Sequence, residues 1–128
     1  MWKPGEFSRQ AFLGQISRGE VHIGLVDGKP AGTLTLQWSD PMWWGERQQD
    51  SGYVHKIAVR PAYAGQSIGR EMLKWAETAA RKAEKMFLRL NCLAVDRKIR
   101  DYYERAGFVY ISDVAGPKGI ASLYEKGL

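Results

Sequence analysis

The sequence has a single cysteine, Cys92, so no disulfide can form within the chain. Only two histidines are present, His22 and His55, and they lie far apart. No metal-ligand spacing exists, and no metal is expected. No apolar run approaches the roughly 20 residues that cross a bilayer. The first residues, Met1-Trp2-Lys3-Pro4-Gly5, lack the apolar stretch of a secretory signal. A reducing, cytoplasmic setting is expected, without membrane association. Blocks of five like charges are also missing. The net charge is +5, but acidic and basic residues interleave almost everywhere. A basic surface attracts acidic ligands, whereas this interleaving argues against a nucleic-acid partner. What remains is an ordinary globular composition, 45% hydrophobic and 26% charged, in 128 residues. That length suits a single domain, 1–128, burying roughly two-thirds of its unfolded surface.

No repeat or low-complexity segment appears. Phe7, Ala11, Phe12 and Ile16 recur at helical spacing over 6–18, and Gly19 follows. A strand is predicted over 21–26, a turn at Asp27-Gly28 with Pro30 closing it, and a second strand over 31–38. Residues 39–51 read as a loop. A third strand, 53–59, precedes Pro61 and a glycine-containing turn. A helix over about 67–86 carries Ile68, Met72, Trp75, Ala79 and Ala83 as its apolar stripe. A strand over 87–94 follows. Asp96 can cap a helix ended by Gly107, and two strands, 108–114 and 122–126, close the chain. The first three strands are linked tightly enough to be antiparallel. The helical crossover from the third to the fourth implies a parallel pair.

The chemistry concentrates in Ala64-Gly65-Gln66-Ser67-Ile68-Gly69-Arg70, between a strand and a helix. Backbone N–H groups at a helix start, with the helix dipole behind them, favour an anion. Glycines let the backbone turn and approach a ligand closely. The stretch is neither a nucleotide-triphosphate loop nor a dinucleotide fingerprint. Taken alone, Gly65 can simply turn the chain and Ser67 can simply cap the helix.

The stretch has company. Tyr-Val-His-Lys-Ile-Ala-Val-Arg-Pro (53–61) leads into it, and Leu-Arg-Leu-Asn-Cys-Leu-Ala (88–94) follows. Next comes Arg-Asp-Tyr-Tyr-Glu-Arg-Ala-Gly-Phe (100–108). In this order the motifs resemble the GNAT superfamily of N-acetyltransferases, most strongly over 53–108. The resemblance implies an α/β fold: a GNAT-like mixed, centrally splayed β-sheet flanked by helices, here lacking the usual first strand and helix. It implies that Ala64, Gly65, Gln66, Ser67, Ile68, Gly69 and Arg70 hold the pyrophosphate of acetyl-CoA. Ile57, Ala58 and Val59 would offer backbone groups to the pantetheine arm and thioester, and Tyr103 would protonate the departing thiolate. Departures from the family pattern are Ala64 for a basic residue or Gln, Ser67 for Gly, and Asp96 for the frequent Asn. At Asp96 a helix cap is the favoured reading.

Acetyl transfer needs a neutral amine, a positioned thioester and a proton for the thiolate. Tyr103 suits that proton, against a reading as a packing aromatic. Strict alternation puts His55 on one strand face with Tyr53, Ile57 and Val59. It reads either as the base that deprotonates the amine or as a structural histidine. Trp38, Asp40, Trp43 and Trp44, with Glu46, either hold a cationic amine or cover a missing N-terminal part or a partner copy. Cys92 reads as packing. The reading is acetyl transfer from acetyl-CoA to a primary amine by direct attack, without an acetyl-enzyme, and with a small-molecule acceptor. Alternatives are a protein N-terminal or lysine acetyltransferase and a non-catalytic acyl-CoA-binding module. A homodimer is expected through an exposed edge at 21–26.

Overall fold

The computed structural model describes residues 20–45 and 50–128. The expected helix over 6–18, the expected loss of a first strand and helix, and Glu46 lie outside those residues. Strands β1 (Val21–Val26) and β2 (Lys29–Gln37) form a hairpin. Asp27 and Gly28 both have positive φ, 51° and 77°, the backbone of a tight turn whose twist matches its strands. Pro30 sits inside β2, opposite Leu25, where the register slips. Proline is tolerated at such an irregularity because no ladder N–H is needed.

A one-turn helix, α1 (Pro41–Trp44), interrupts the expected loop, with proline at its first position. Then follow β3 (Ser51–Val59), a 3₁₀ turn at Pro61–Tyr63, α2 (Ile68–Lys82), β4 (Phe87–Leu93), α3 (Arg97–Arg105), β5 (Val109–Gly116) and β6 (Gly119–Gly127). The sheet order is β1-β2-β3-β4-β6-β5. Only β3 and β4 are parallel, as the helical crossover predicts. Their pairing is confined to Ser51↔Phe87, Gly52↔Leu88 and Tyr53↔Arg89. Beyond that rung β3 keeps only β2, and β4 keeps only β6. The sheet opens there as a wedge.

Helices α2 and α3 share one face. Ile68, Met72, Leu73, Ala76 and Ala80 of α2 pack with Tyr103 and Ala106 against Leu34, Val54, Leu88, Leu90 and Tyr124. The buried stripe of α2 is thus rotated from the expected one: Trp75 and Ala79 are only half-buried and Ala83 is exposed. The other face carries a smaller cluster, Trp44, Tyr53 and Leu123, beneath α1. Asp96 does cap α3, its carboxylate accepting from the Ile99 N–H at 3.1 Å. Between the two layers, Glu77 of α2 pairs with Lys126 of β6 at 3.1 Å, and the same ammonium donates to the Ala106 carbonyl at 2.8 Å.

β1 lies at one edge of the described sheet, as expected, but its apolar side chains are not open: Val21 and Ile23 are buried and Leu25 is half-buried. The opposite edge, β5, is the exposed one, with Val109, Tyr110 and Ile111 open. No helix among the described residues is long and apolar enough to cross a membrane.

His22 of β1 is buried, with its ring 4.4 Å from that of Trp75 on α2 and its Nδ1 without a hydrogen-bond partner. Burial holds its pKa below the ordinary 6.5. The folded chain therefore keeps this ring neutral, while the unfolded chain takes up a proton near 6.5. The stability it carries is complete above that pH and is lost as pH falls below it. Denaturant midpoints are expected to fall between pH 7.5 and 5.5, and His22→Phe to flatten that slope. An unchanged slope in the variant would show that the ring is not the titrating group.

Candidate active site

The open end of the wedge bears two cavities. The larger, about 470 Å³, lies on the α2/α3 face. Ile57, Ala58 and Val59 of β3 form one wall. The turn contributes Ala64, Gly65 and Ser67, and the start of α2 contributes Ile68, Gly69 and Arg70. Tyr103 of α3 lines it too. Of the residues assigned to acetyl-CoA from the sequence, all but Gln66 therefore line one cavity. Tyr63, Ile99 and Tyr102 also line it, and the sequence reasoning missed them. Ile99 and Tyr102 lie on the same apolar side of α3 as Tyr103, which was the available signal.

The local backbone explains why an anion fits. Ser67 precedes α2 with φ 60° and makes no side-chain cap, so the first-turn amides of α2 are left for another acceptor. The simple capping reading of Ser67 does not hold. Gly65 has φ 80°, and a Cβ built on it would meet nothing within 4 Å, so its surroundings are open. Gly69 serves a different need: a Cβ there would stand 2.5 Å from the Tyr102 hydroxyl oxygen. Arg70 adds a positive charge to the same rim. Open backbone at a helix start, a guanidinium and an apolar channel beyond suit the pyrophosphate and pantetheine of acetyl-CoA.

Tyr103 is buried among the rings of Tyr102, Phe108 and Tyr124, with centroids 5.6, 6.0 and 6.4 Å away. Burial, with nearby Cys92 and Tyr102, pushes its hydroxyl well above the usual 10. It stays protonated, and so remains a donor, throughout the neutral range. Burial also pushes the Cys92 thiol up to about 11, which keeps it from being a thiolate nucleophile.

The expectation for His55 needs correcting. Lys56 has φ 51°, and the register against β2 slips between Thr35↔His55 and Thr33↔Ala58. This bulge resets the alternation of β3. Ile57 and Val59 consequently face the α2/α3 core and the large cavity. His55 does not line that cavity. Its Nε2 lies 3.0 Å from Oδ2 of buried Asp40, at the head of α1. That oxygen has no aligned hydrogen-bond partner.

The second cavity, about 390 Å³, lies around the opposite mouth of the wedge. Trp43 of α1, Lys56 of β3, Asn91 and Cys92 of β4 and Lys118 of the β5–β6 turn line it. Lys56 lines this cavity and its neighbour Ile57 the larger one, so the bulge stands between them in sequence. Of the four residues proposed to bind the acceptor, Trp43 alone reaches this cavity. Trp38 lines a separate space beside His22 and Trp75. Trp44 is buried over Arg89, and Asp40 is taken up by His55. The lysines and Asn91 had no motif to announce them. No group of three metal-ligating side chains occurs among the described residues.

A model of the acetyltransferase (GNAT) family matches residues 2–108. The uncharacterized N-acetyltransferase YesJ of Bacillus subtilis (strain 168) is 31% identical over 109 residues, covering 80% of this chain and 61% of that protein. The aminoalkylphosphonate N-acetyltransferase of Salmonella typhimurium is 27% identical over 106 residues, 78% of this chain and 64% of that one. The chain thus spans somewhat over three fifths of the length of these curated relatives. A crystal structure of a GNAT-family acetyltransferase from Listeria monocytogenes 4b F2365 superposes with a TM-score of 0.78 at 26% identity, covering 93% of this chain and 70% of that one.

Gly65→Val is expected to weaken acetyl-CoA binding. A β-branched residue at φ 80° is strained by about 1–3 kcal/mol, which corresponds to roughly a 5- to 100-fold rise in Kd. Calorimetric titration of the folded variant checks this, and an unchanged Kd would remove the turn from the site.

Proposed function

This chain belongs to the GNAT acetyltransferase family, and from that premise we propose that it transfers the acetyl group of acetyl-CoA to a primary amine of a small molecule by direct attack. The observation that carries the proposal is the wedge beyond the Tyr53↔Arg89 rung, with one cavity on each side of it. Acetyl-CoA occupies the larger cavity, its pyrophosphate on the amides of 65–70 and its thioester beside Ile57–Val59. The amine enters from the second cavity. Its nitrogen attacks the thioester carbonyl, the C–S bond breaks, and the sulfur takes the proton that Tyr103 holds. One feature favours direct attack over an acetyl-enzyme: the thiol of Cys92, which lines the second cavity, is kept protonated by burial. A small-molecule acceptor fits a cavity of this size and accords with the name of the Salmonella relative.

The base is His55, oriented by Asp40. It stands on β3 immediately before the bulge, on the face that also carries Tyr53 and α1. A carboxylate beside one ring nitrogen fixes the imidazole and leaves the other nitrogen to accept a proton, directly or through water. Self-association, expected from an open strand edge, falls to β5 rather than β1, because β5 carries the exposed apolar side chains.

Tyr103→Phe is expected to lower turnover by about a hundredfold or more while leaving the Kd for acetyl-CoA within a small factor. Release of free CoA across a panel of primary amines, paired with calorimetry, measures both. Turnover close to that of the parent would reduce Tyr103 to packing. For the base, His55→Gln is expected to lower turnover at saturating acetyl-CoA by about a hundredfold or more while leaving the Kd for acetyl-CoA within a small factor. Turnover matching that of the parent would return the histidine to a purely structural part.

A further inference from the structure

Taken with the acetyl-transfer reading, the second cavity restricts which amine is accepted. Its lining includes two lysines, Lys56 and Lys118, and no Asp or Glu among the described residues. The carboxylates whose charge is felt at Cys92 are Asp96, Glu104 and Asp113. Asp96 caps α3, Glu104 accepts from the Tyr124 hydroxyl at 2.6 Å, and Asp113 accepts from Ser122 at 2.7 Å. None of the three lines the cavity. Among the described residues the lining thus carries cationic side chains and no carboxylate.

Two further observations point the same way. Lys56 is a non-glycine residue in the left-handed region in the middle of a central strand. Glycine would take that conformation without strain, and bulges commonly re-aim a side chain beside an active site. Unbulged alternation would send residue 56 to the face of Val54, into the helix-covered core. The strained conformation instead brings Lys56 to the lining of the cavity. Second, the Nδ2 of Asn91 is buried with no hydrogen-bond partner, and its residue lines the same cavity. A buried amide donor in that state is satisfied by an incoming oxygen acceptor.

We propose that the acceptor carries an anionic group, a carboxylate or a phosphonate, a short chain away from its amine, and that Lys56, Lys118 and Asn91 hold that group. Lys56 is then a specificity-determining residue. Lys118, exposed in the turn between β5 and β6, closes the mouth over the anion, and Trp43 flanks the alkyl stem. With its anion held at this end, the acceptor points its amine toward the seam between Lys56 and Ile57. Ammonium and guanidinium groups would then serve the anions at both ends of the reaction: Arg70 for acetyl-CoA and the two lysines for the acceptor.

The experiment compares three amines of matched length on the full chain: 4-aminobutanoate, 3-aminopropylphosphonate and 4-aminobutanol, whose hydroxyl puts no anion at the far end. Both anionic amines are expected to exceed the alcohol at least tenfold in kcat/KM, and their ratio tells carboxylate from phosphonate. Lys56→Gly is expected to erase the preference by raising KM rather than by lowering kcat. Its unfolding midpoint should hold or rise, because glycine relieves the left-handed strain. Lys118→Met, a surface change that does not threaten folding, should halve the preference or more. Equal use of the alcohol, or a preference that survives in the double variant, would overturn the proposal. If no amine is acetylated, the acetyl-transfer reading fails separately. Calorimetry of 3-aminopropylphosphonate against the CoA-saturated chain then decides this proposal: binding lost in Lys56→Gly supports it, and no binding in the parent overturns it.

Discussion

The buried guanidinium of Arg89 holds the closed end of the wedge. Its Nε donates to Glu125 at 2.7 Å and its Nη1 to the Tyr53 hydroxyl at 2.9 Å, with Asp50 at 3.7 Å. The group also lies over the Trp44 ring at 4.9 Å. These partners come from α1, β3, the segment entering β3, and β6, and they meet at the last rung that β3 and β4 share. Removing one partner from a buried charged pair generally costs about 3–5 kcal/mol, since the other is left desolvated and alone. Arg89 thus marks where the parallel pair stops. Both cavities of the proposed site lie on the far side of it, where the two strands run on without each other's hydrogen bonds.

Open strands in a sheet centre carry unpaired backbone groups, and the wedge persists because its two sides are tied elsewhere. β3 is secured to β2, and β4 runs along β6 from Phe87↔Gly127 to Leu93↔Ala121. The helices α2 and α3 bridge the gap from one face through a shared core. The backbone groups of Ile57–Val59 on the β4 side therefore have no partner in β4, and on the proposed reading they serve acetyl-CoA. The same opening allows the bulge at Lys56, since a bulge is easily accommodated where a ladder is already absent on one side.

Much of this was legible in the sequence, and the failures share a cause. The order of strands and longer helices from β1 onward, the parallel crossover, the turn at Asp27-Gly28 and the cap at Asp96 all rest on local chemistry, and these stand; the one-turn α1 was not foreseen. The α2 terminus was placed four residues late. The chain stops it with a Schellman motif, Lys85 N–H to Ala80 and Glu84 N–H to Arg81, using Glu84 at φ 62° where glycine is usual. Ser67 at φ 60° and Lys56 at φ 51° mislead in the same way. Each is a non-glycine residue held in a left-handed conformation by its surroundings, and single-sequence rules read only the residue. The second cavity was invisible for a further reason. Its lysines, amide and tryptophan come from four separate segments that only the folded sheet brings together.

The seam between the two cavities has one more physical property. Cys92 and Tyr103 meet there, and burial raises the pKa of both, the thiol to about 11 and the hydroxyl further. Both groups are therefore uncharged throughout the neutral range. On the proposed reading, anions are held at the outer ends of the two cavities, on Arg70 and on Lys56 with Lys118. A permanent anion at the seam would repel the thiolate as it forms. A permanent cation would bind it without releasing it. A neutral, buried donor interacts most strongly with the sulfur only as negative charge develops on it, so its contribution falls on the transition state rather than on either bound substrate. The wedge supplies that neutrality by burial alone. Closing the strands at Arg89 and opening them beyond it puts one protonated phenol and one protonated thiol in an apolar gap, with charge kept at its two mouths.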